Sequence, residues 1–335
     1  MMRALLIGAL AFQAAAAAPK FDSGRAWEHL RQLVAIGPRP AGSPAIEQTR
    51  TYIKAQLAAA GLTVSDQAWD DETPLGKVHM VNLIASIPGP RKDRLVITGH
   101  YDTKLIRQFR FVGANDGGSS AAFLIELARV LKARKNALTV DIVFLDGEEA
   151  VCQNWDDCGK PGAPDNTYGS RHYVGVARRD GSLSTMKAMV LVDMIADRDL
   201  QIRRDANSTR WLTDAIWDAA KREDLDAYFV AESTRVEDDH LPFLQAGVPA
   251  VDIIDLDYEP WHTAKDTLDA VSARSLQVVG DALLAALPQI ETKLTKGMTL
   301  TGRRPHRDQY GYRSANGEHK HHHRRRLLQG AAAAH

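Results

Sequence analysis

Four apolar runs constrain this chain more than any other feature: RLVITGHYDT, TVDIVFLDGEEA, MKAMVLVDMIAD and VPAVDIIDLD. Each holds strand-length apolar sequence and then turns abruptly polar. Continuous apolar character, without alternation, implies burial on both faces, as in a parallel sheet covered by helices on either side. The stretches around and between them have helical spacing. GSSAAFLIELARVLKAR directs Phe123, Leu124, Leu127, Val130 and Leu131 to one side, and STRWLTDAIWDAAKRE is a further helix. Upstream, FDSGRAWEHLRQLVAIG groups Trp27, Leu30, Leu33 and Val34, and SPAIEQTRTYIKAQLAAAG offers Ser43 as N-cap, Pro44 at the first turn and Gly61 as terminator. VHMVNLIASIPG reads as another strand. The expected fold class is α/β: one domain over residues 21–300, three layers α/β/α around a central mixed, mostly parallel sheet.

The two ends of the chain differ from this body. Residues 1–18 combine an early positive charge, an apolar run and an Ala-rich end, the pattern of a signal peptide. Export to the periplasm or medium is therefore expected. Cys152 and Cys158, the only cysteines, lie in a Gly/Pro/Asp-rich loop, and in an exported protein they are expected to pair. Residues 301–335 carry eight Lys/Arg against two acidic residues and six of the twelve histidines. That composition cannot bury a core and is read as a disordered basic, His-rich tail. Its charge has two readings, nucleic-acid or metal binding and a plain solvated extension; the second is preferred, so no nucleic-acid partner is expected. No internal stretch reaches the roughly 18 apolar residues that span a bilayer. A monomer is expected.

What ends each strand suggests chemistry. GHYDTK supplies His100 and Asp102, GANDGGSS supplies Asp116, and FLDGEEA supplies Glu148 and Glu149. LVDMIAD adds Asp193 and YEPWHTAKDTLD adds His262. Ligands of open α/β sheets bind beyond the carboxyl ends of the strands. Two imidazoles and several carboxylates at that edge suit Zn²⁺, with three protein ligands and one open position for catalysis. Taken singly, each residue has a plainer reading, such as helix capping for Asp116 or a loop acid for Asp193. Adjacent glutamates at the end of a buried strand are costly unless a charge meets them.

In order, GHYDTK, NDGGSSAAFLIELARVL, FLDGEEA, LVDMIAD and WHT resemble the M28 metallopeptidase superfamily. DGEEA followed by a tryptophan and YGSRH, then EDDHLPFLQAGVP and WHT, look more like its glutaminyl cyclase branch, the type II glutaminyl-peptide cyclotransferases. The resemblance covers roughly residues 25–285. It implies Asp116, Glu149 and His262 as ligands of one zinc ion, with two ions possible. It implies Glu148 as general acid/base, Asp238 as the carboxylate that helps hold and activate the substrate, and Trp155 and Trp261 as pocket walls. His100 and Asp193 match positions that bind a second zinc in the related aminopeptidases, with Asp102 orienting His100 from behind. Trp155 falls one residue later than that branch's spacing, and Glu237 stands where a glutamine is more familiar.

The implied reaction converts N-terminal glutamine of a peptide or protein to pyroglutamate with release of ammonia. Two rivals share these residues. A dizinc aminopeptidase would use Glu148 toward a water and hydrolyse the first peptide bond. A catalytically idle binding domain would need no Glu148, whose presence speaks against it. The bulky Trp261 beside His262, expected to exclude water, favours the cyclase. His240, in EDDHLPF, has two readings, pocket-lining or structural; His29, His79, His172, Asp266 and Asp269 are read as structural.

Overall fold

The computed structural model describes residues 19–160 and 162–296. The leader-like 1–18 and the basic 301–335 lie outside the described residues. Six strands form the main sheet: β1 (Val64–Thr73), β2 (Gly76–Ile87), β3 (Arg94–His100), β4 (Thr139–Leu145), β5 (Met186–Asp193) and β8 (Ala250–Ile254). Their order is β1-β2-β4-β3-β5-β8. β1–β2 and β2–β4 run antiparallel, while β4–β3, β3–β5 and β5–β8 are parallel. Two short strands, β6 (Ile202–Asp205) and β7 (Phe229–Thr234), pair as a separate parallel ribbon.

The apolar runs have the physical cause expected of them. Along β4, Val140, Ile142 and Phe144 enter one core while Val143 and Leu145 enter the other. β3 divides Leu95 and Ile97 from Val96, and β5 divides Ala188, Val190 and Val192 from Met189 and Leu191. The larger core is covered by α1 (Ser23–Ile36), α2 (Pro44–Ala59), α3 (Gly118–Ala133), α5 (Arg210–Arg222) and α7 (Ala273–Lys296). α4 (Tyr168–Asp180) and α6 (His240–Gln245) cover the smaller one through Tyr173, Val174 and Phe243. This is the three-layer, mostly parallel arrangement the sequence predicts. Local signals hold as well. Asp22 Oδ1 accepts from Gly24 N and Arg25 N to start α1, and Ser43 Oγ accepts from Ile46 N ahead of Pro44 to start α2. Among the described residues no helix is long and apolar enough to cross a membrane.

Because β3, β4, β5 and β8 are mutually parallel, their carboxyl ends share one edge. A buried network fixes that edge. Arg50 of α2 donates to Asp146 Oδ2 and, through Nε, to Tyr101 Oη at 2.8 Å. Tyr101 Oη donates to Val81 O, and Val81 N donates to Asp146 Oδ2 at 2.8 Å. Asp146, the first carboxylate after β4, is thus structural. It anchors the start of the turn that carries the two glutamates. Removing Arg50 would strand a fully buried carboxylate. Arg50→Met is expected to destabilise the protein by about 3–5 kcal/mol, read as a fall in the urea midpoint; an unchanged midpoint would refute the network's importance.

Candidate active site

The strand ends deliver the side chains in turn. His100 closes β3 and Asp193 closes β5; Glu148 and Glu149 follow β4. Asp116 precedes α3, and His262 lies between β8 and α7. All but His262 are buried; its side chain is 24% exposed. Gly117 makes the Asp116 turn possible. It holds φ +71°, and a Cβ there would come within 2.1 Å of Asp102 O, so only glycine fits. His262 holds φ +52°, a left-handed conformation that costs a non-glycine residue of order 1–3 kcal/mol and clusters at functional sites.

Asp116 Oδ2, His262 Nε2 and Glu149 Oε2 converge. His262 Nε2 is 3.2 Å from Asp116 Oδ2 and 3.4 Å from Glu149 Oε2. Donors at tetrahedral corners about 2.0–2.1 Å from zinc stand about 3.3 Å apart, so these separations fit the metal. Asp116 Oδ2 is buried and makes no hydrogen bond, as a lone pair reserved for a cation would. Asp116 also faces the other way, with Oδ1 3.3 Å from His100 Nε2; that nitrogen lies 3.0 Å from Asp193 Oδ1. Asp116, Glu149 and His262, and equally His100, Asp116 and Asp193, each bring one possible ligand atom within 4.8 Å of the others. The structure therefore gathers both sets read from the sequence, with Asp116 common to them.

The model of peptidase family M28 matches residues 82–287. A glutaminyl-peptide cyclotransferase-like protein of Bos taurus is 30% identical over 74% of this chain and 70% of its own length. The crystal structure of an Acidobacteriales bacterium glutaminyl cyclase is 40% identical, with a TM-score of 0.77 over 86% of this chain and 100% of that one. A Drosophila melanogaster glutaminyl-peptide cyclotransferase is 28% identical over 72% of this chain and 75% of its own. The chain belongs to peptidase family M28, in its glutaminyl cyclase branch.

In this M28 chain, several residues hold the candidate donors in place. Asp102 Oδ1 accepts from Glu148 N at 3.2 Å and Oδ2 from Glu149 N at 3.4 Å. Its carboxylate lies 3.4 Å from His100 Nδ1, a nitrogen left without a hydrogen bond. Its hydrogen bonds thus fix the glutamate turn, while toward His100 it acts through charge. Lys104 N donates to Glu149 Oε1 at 3.0 Å, and Lys104 Nζ donates to Ala150 O at 2.9 Å. Arg39, wholly buried, donates to Tyr101 O, Val112 O and Gly113 O and so ties down the loop before Asp116. Burial lowers its pKa to about 10, with Asp266, Asp102 and Asp116 opposing the fall. It remains a cation beside an acidic centre at neutral pH. Neither Arg39 nor Lys104 stands out in the sequence.

The two adjacent glutamates are both shifted, but by different neighbours. Burial drives the Glu148 carboxyl well above its usual range; His100 opposes this, and Asp238, Glu149 and Asp239 add to it. Glu149 is also raised by burial and by Asp116, with His262 and Lys104 pulling the other way. Asp238 is raised well above by burial and by Asp193 and Asp239, and its Oδ2 has no hydrogen-bond partner. Trp261 is 44% exposed, with its ring 4.5 Å from that of His262. An indole so exposed shields one face of His262 and does not by itself seal the site. Phe111, absent from the sequence reading, meets His262 edge-on at 5.8 Å. Trp155 is half-buried in the loop closed by Cys152 and Cys158, which are bonded with a Cα separation of 6.1 Å. His240 does not face solvent. It is fully buried, 3.2 Å from Asp205 and 3.7 Å from Asp252.

Without metal, the centre is expected to have a pH signature. Burial alone would lower the His262 pKa, but Glu149 and Asp116 raise it from 6.5 to about 10. The native state then keeps a proton that the unfolded chain releases near 6.5. This contribution to stability is complete below that pH and disappears as pH rises through 10. Metal-free protein is expected to show a falling denaturation midpoint between pH 7 and 10, and His262→Asn to flatten the decline. A parent midpoint independent of pH over that interval would contradict the assignment.

Proposed function

We propose that this chain is a zinc-dependent glutaminyl-peptide cyclotransferase that converts N-terminal glutamine of peptides and proteins to pyroglutamate and releases ammonia. The observation that carries the reading is the three-donor set Asp116, Glu149 and His262 with the protonatable Glu148 next in sequence to one donor. The relatives, and 40% identity to the Acidobacteriales bacterium glutaminyl cyclase, support the same choice. The leader-like 1–18 and the Cys152–Cys158 pair support export, and the domain over 21–300 acts as a monomer.

Asp116, Glu149 and His262 would hold the zinc, which when bound supplies a Lewis acid for the side-chain amide carbonyl of the substrate glutamine. Glu148 takes a proton from the substrate α-amine as that nitrogen attacks the amide carbon. It returns the proton to the amide nitrogen, so that one C–N bond forms, one breaks, and ammonia leaves. A carboxyl raised in pKa by burial suits both halves of that transfer. Asp238 hydrogen-bonds the amide during the exchange, and Trp261, Trp155 and Phe111 line the approach. Nucleophile and electrophile belong to one molecule, so holding the substrate folded supplies much of the acceleration.

The second set, His100, Asp116 and Asp193, is what an aminopeptidase would need for a second ion, and it keeps that reading as the alternative. Zinc counted per chain, together with assays on a Gln-peptide and an aminoacyl chromogen, separates the two. One zinc with ammonia release is expected; two zincs with release of free amino acid would replace the cyclase reading. Glu148→Gln is expected to retain zinc and lose about 10²–10⁴-fold in turnover, and full activity in that variant would remove Glu148 from its role.

A further inference from the structure

Asp266 lies four residues beyond His262 in KDTLD and reads in sequence as a turn residue. In the structure it is 1% exposed, and both of its oxygens are engaged. Oδ1 accepts from Asn115 N at 2.8 Å and from Tyr258 Oη at 2.7 Å, and Oδ2 accepts from Asp116 N at 3.2 Å. The main chain closes the same junction, with Ala114 N donating to Asp266 O at 3.3 Å. Asn115 passes the connection on. Its Oδ1 accepts from Ala196 N at 2.8 Å, and nearby Ser119 Oγ accepts from Ile195 N at 3.1 Å. One carboxylate therefore joins the loop of His262 to the loop of Asp116, which is joined in turn to the segment following Asp193.

We propose that Asp266 is a positioning residue for the metal centre: it fixes the backbone of Asp116 relative to His262 and so sets the donor separation that zinc requires. The inference rests on the zinc reading above. Asp266 is not itself a ligand, since its oxygens are committed to N–H and O–H donors. Its two-oxygen geometry matters because the adjacent backbone N–H groups of Asn115 and Asp116 each need an acceptor. An asparagine would keep one acceptor and turn an NH₂ against the other donor. Outer partners that orient ligands in this way govern metal affinity, with losses of about 10–100-fold when they are removed.

The test is zinc affinity of the full chain, measured by competition with a chromogenic chelator and independent of turnover. Asp266→Asn is expected to bind zinc about 10–100-fold more weakly. Tyr258→Phe, which deletes one of the three side-chain hydrogen bonds, should weaken it by a smaller factor. The exposed Asp269→Asn should match the parent. Asp266→Glu, which keeps both acceptors but is larger, should bind zinc more tightly than Asp266→Asn; simple packing damage would give the reverse order. Unchanged affinity in folded Asp266→Asn, or a Glu variant weaker than the Asn variant, overturns the proposal. If neither folds, Tyr258→Phe decides, and parent-like affinity there overturns it. Failure of the parent to cyclise Gln-peptides would sink the cyclase reading and leave this measurement standing.

Discussion

Everything at the working edge of this protein follows from the repulsion of carboxylates that the fold holds out of water. Asp116, Glu148, Glu149, Asp193, Asp238 and Asp239 are all buried. The cationic groups placed among or beside them are His100, His262, Lys104 and Arg39. Burial raises Glu148, Glu149, Asp238 and Asp239, and nearby carboxylates raise them further. Asp116 goes the other way, held low by the neighbouring His100 and His262 despite its burial. A divalent cation at the meeting point of Asp116, Glu149 and His262 would relieve the largest part of this imbalance. The protein's stability and its chemistry thus depend on the same few charges.

Much of this arrangement was legible because a parallel sheet imposes a simple rule on sequence. Strands buried on both faces must be continuously apolar, so the first polar residue after each marks the edge where ligands bind. His100, Glu148, Glu149 and Asp193 were readable for that reason. Asp116 and His262 were readable from the order of motifs that the chain shares with its superfamily. What could not be read were residues whose partners are backbone atoms far away in sequence. Arg39 meets three carbonyls and Asp266 two amides, and no periodicity or spacing announces such pairings. The edge strand β1 was also missed. Its sequence, VSDQAWDDET, is acidic and half-exposed because only β2 pairs with it. The separate pair β6 and β7 is short and polar for similar reasons.

The two donor sets share Asp116, which gives the site an internal ambiguity. One oxygen faces His262 and Glu149, and the other faces His100 and Asp193. Without metal, His100 lies among Asp102, Asp193 and Glu148, where burial opposes protonation but these carboxylates and Asp116 hold its pKa well above 6.5. Its proton then supplies the positive charge that a second cation would bring to this donor set. Residue types alone cannot distinguish a metal from a proton there; the distinction lies in the charge balance of the surrounding pocket.

The loop that follows Glu149 carries a practical consequence. The Cys152–Cys158 bond closes it three residues beyond the glutamate, and Asp165 accepts from Cys152 N at 2.8 Å and from Tyr168 Oη at 2.6 Å. The same stretch contains Trp155. Recombinant material folded in a reducing cytosol and material folded in an oxidising compartment would differ covalently beside the glutamate turn. A laboratory comparing turnover between preparations has to count thiols before attributing any difference to substitution.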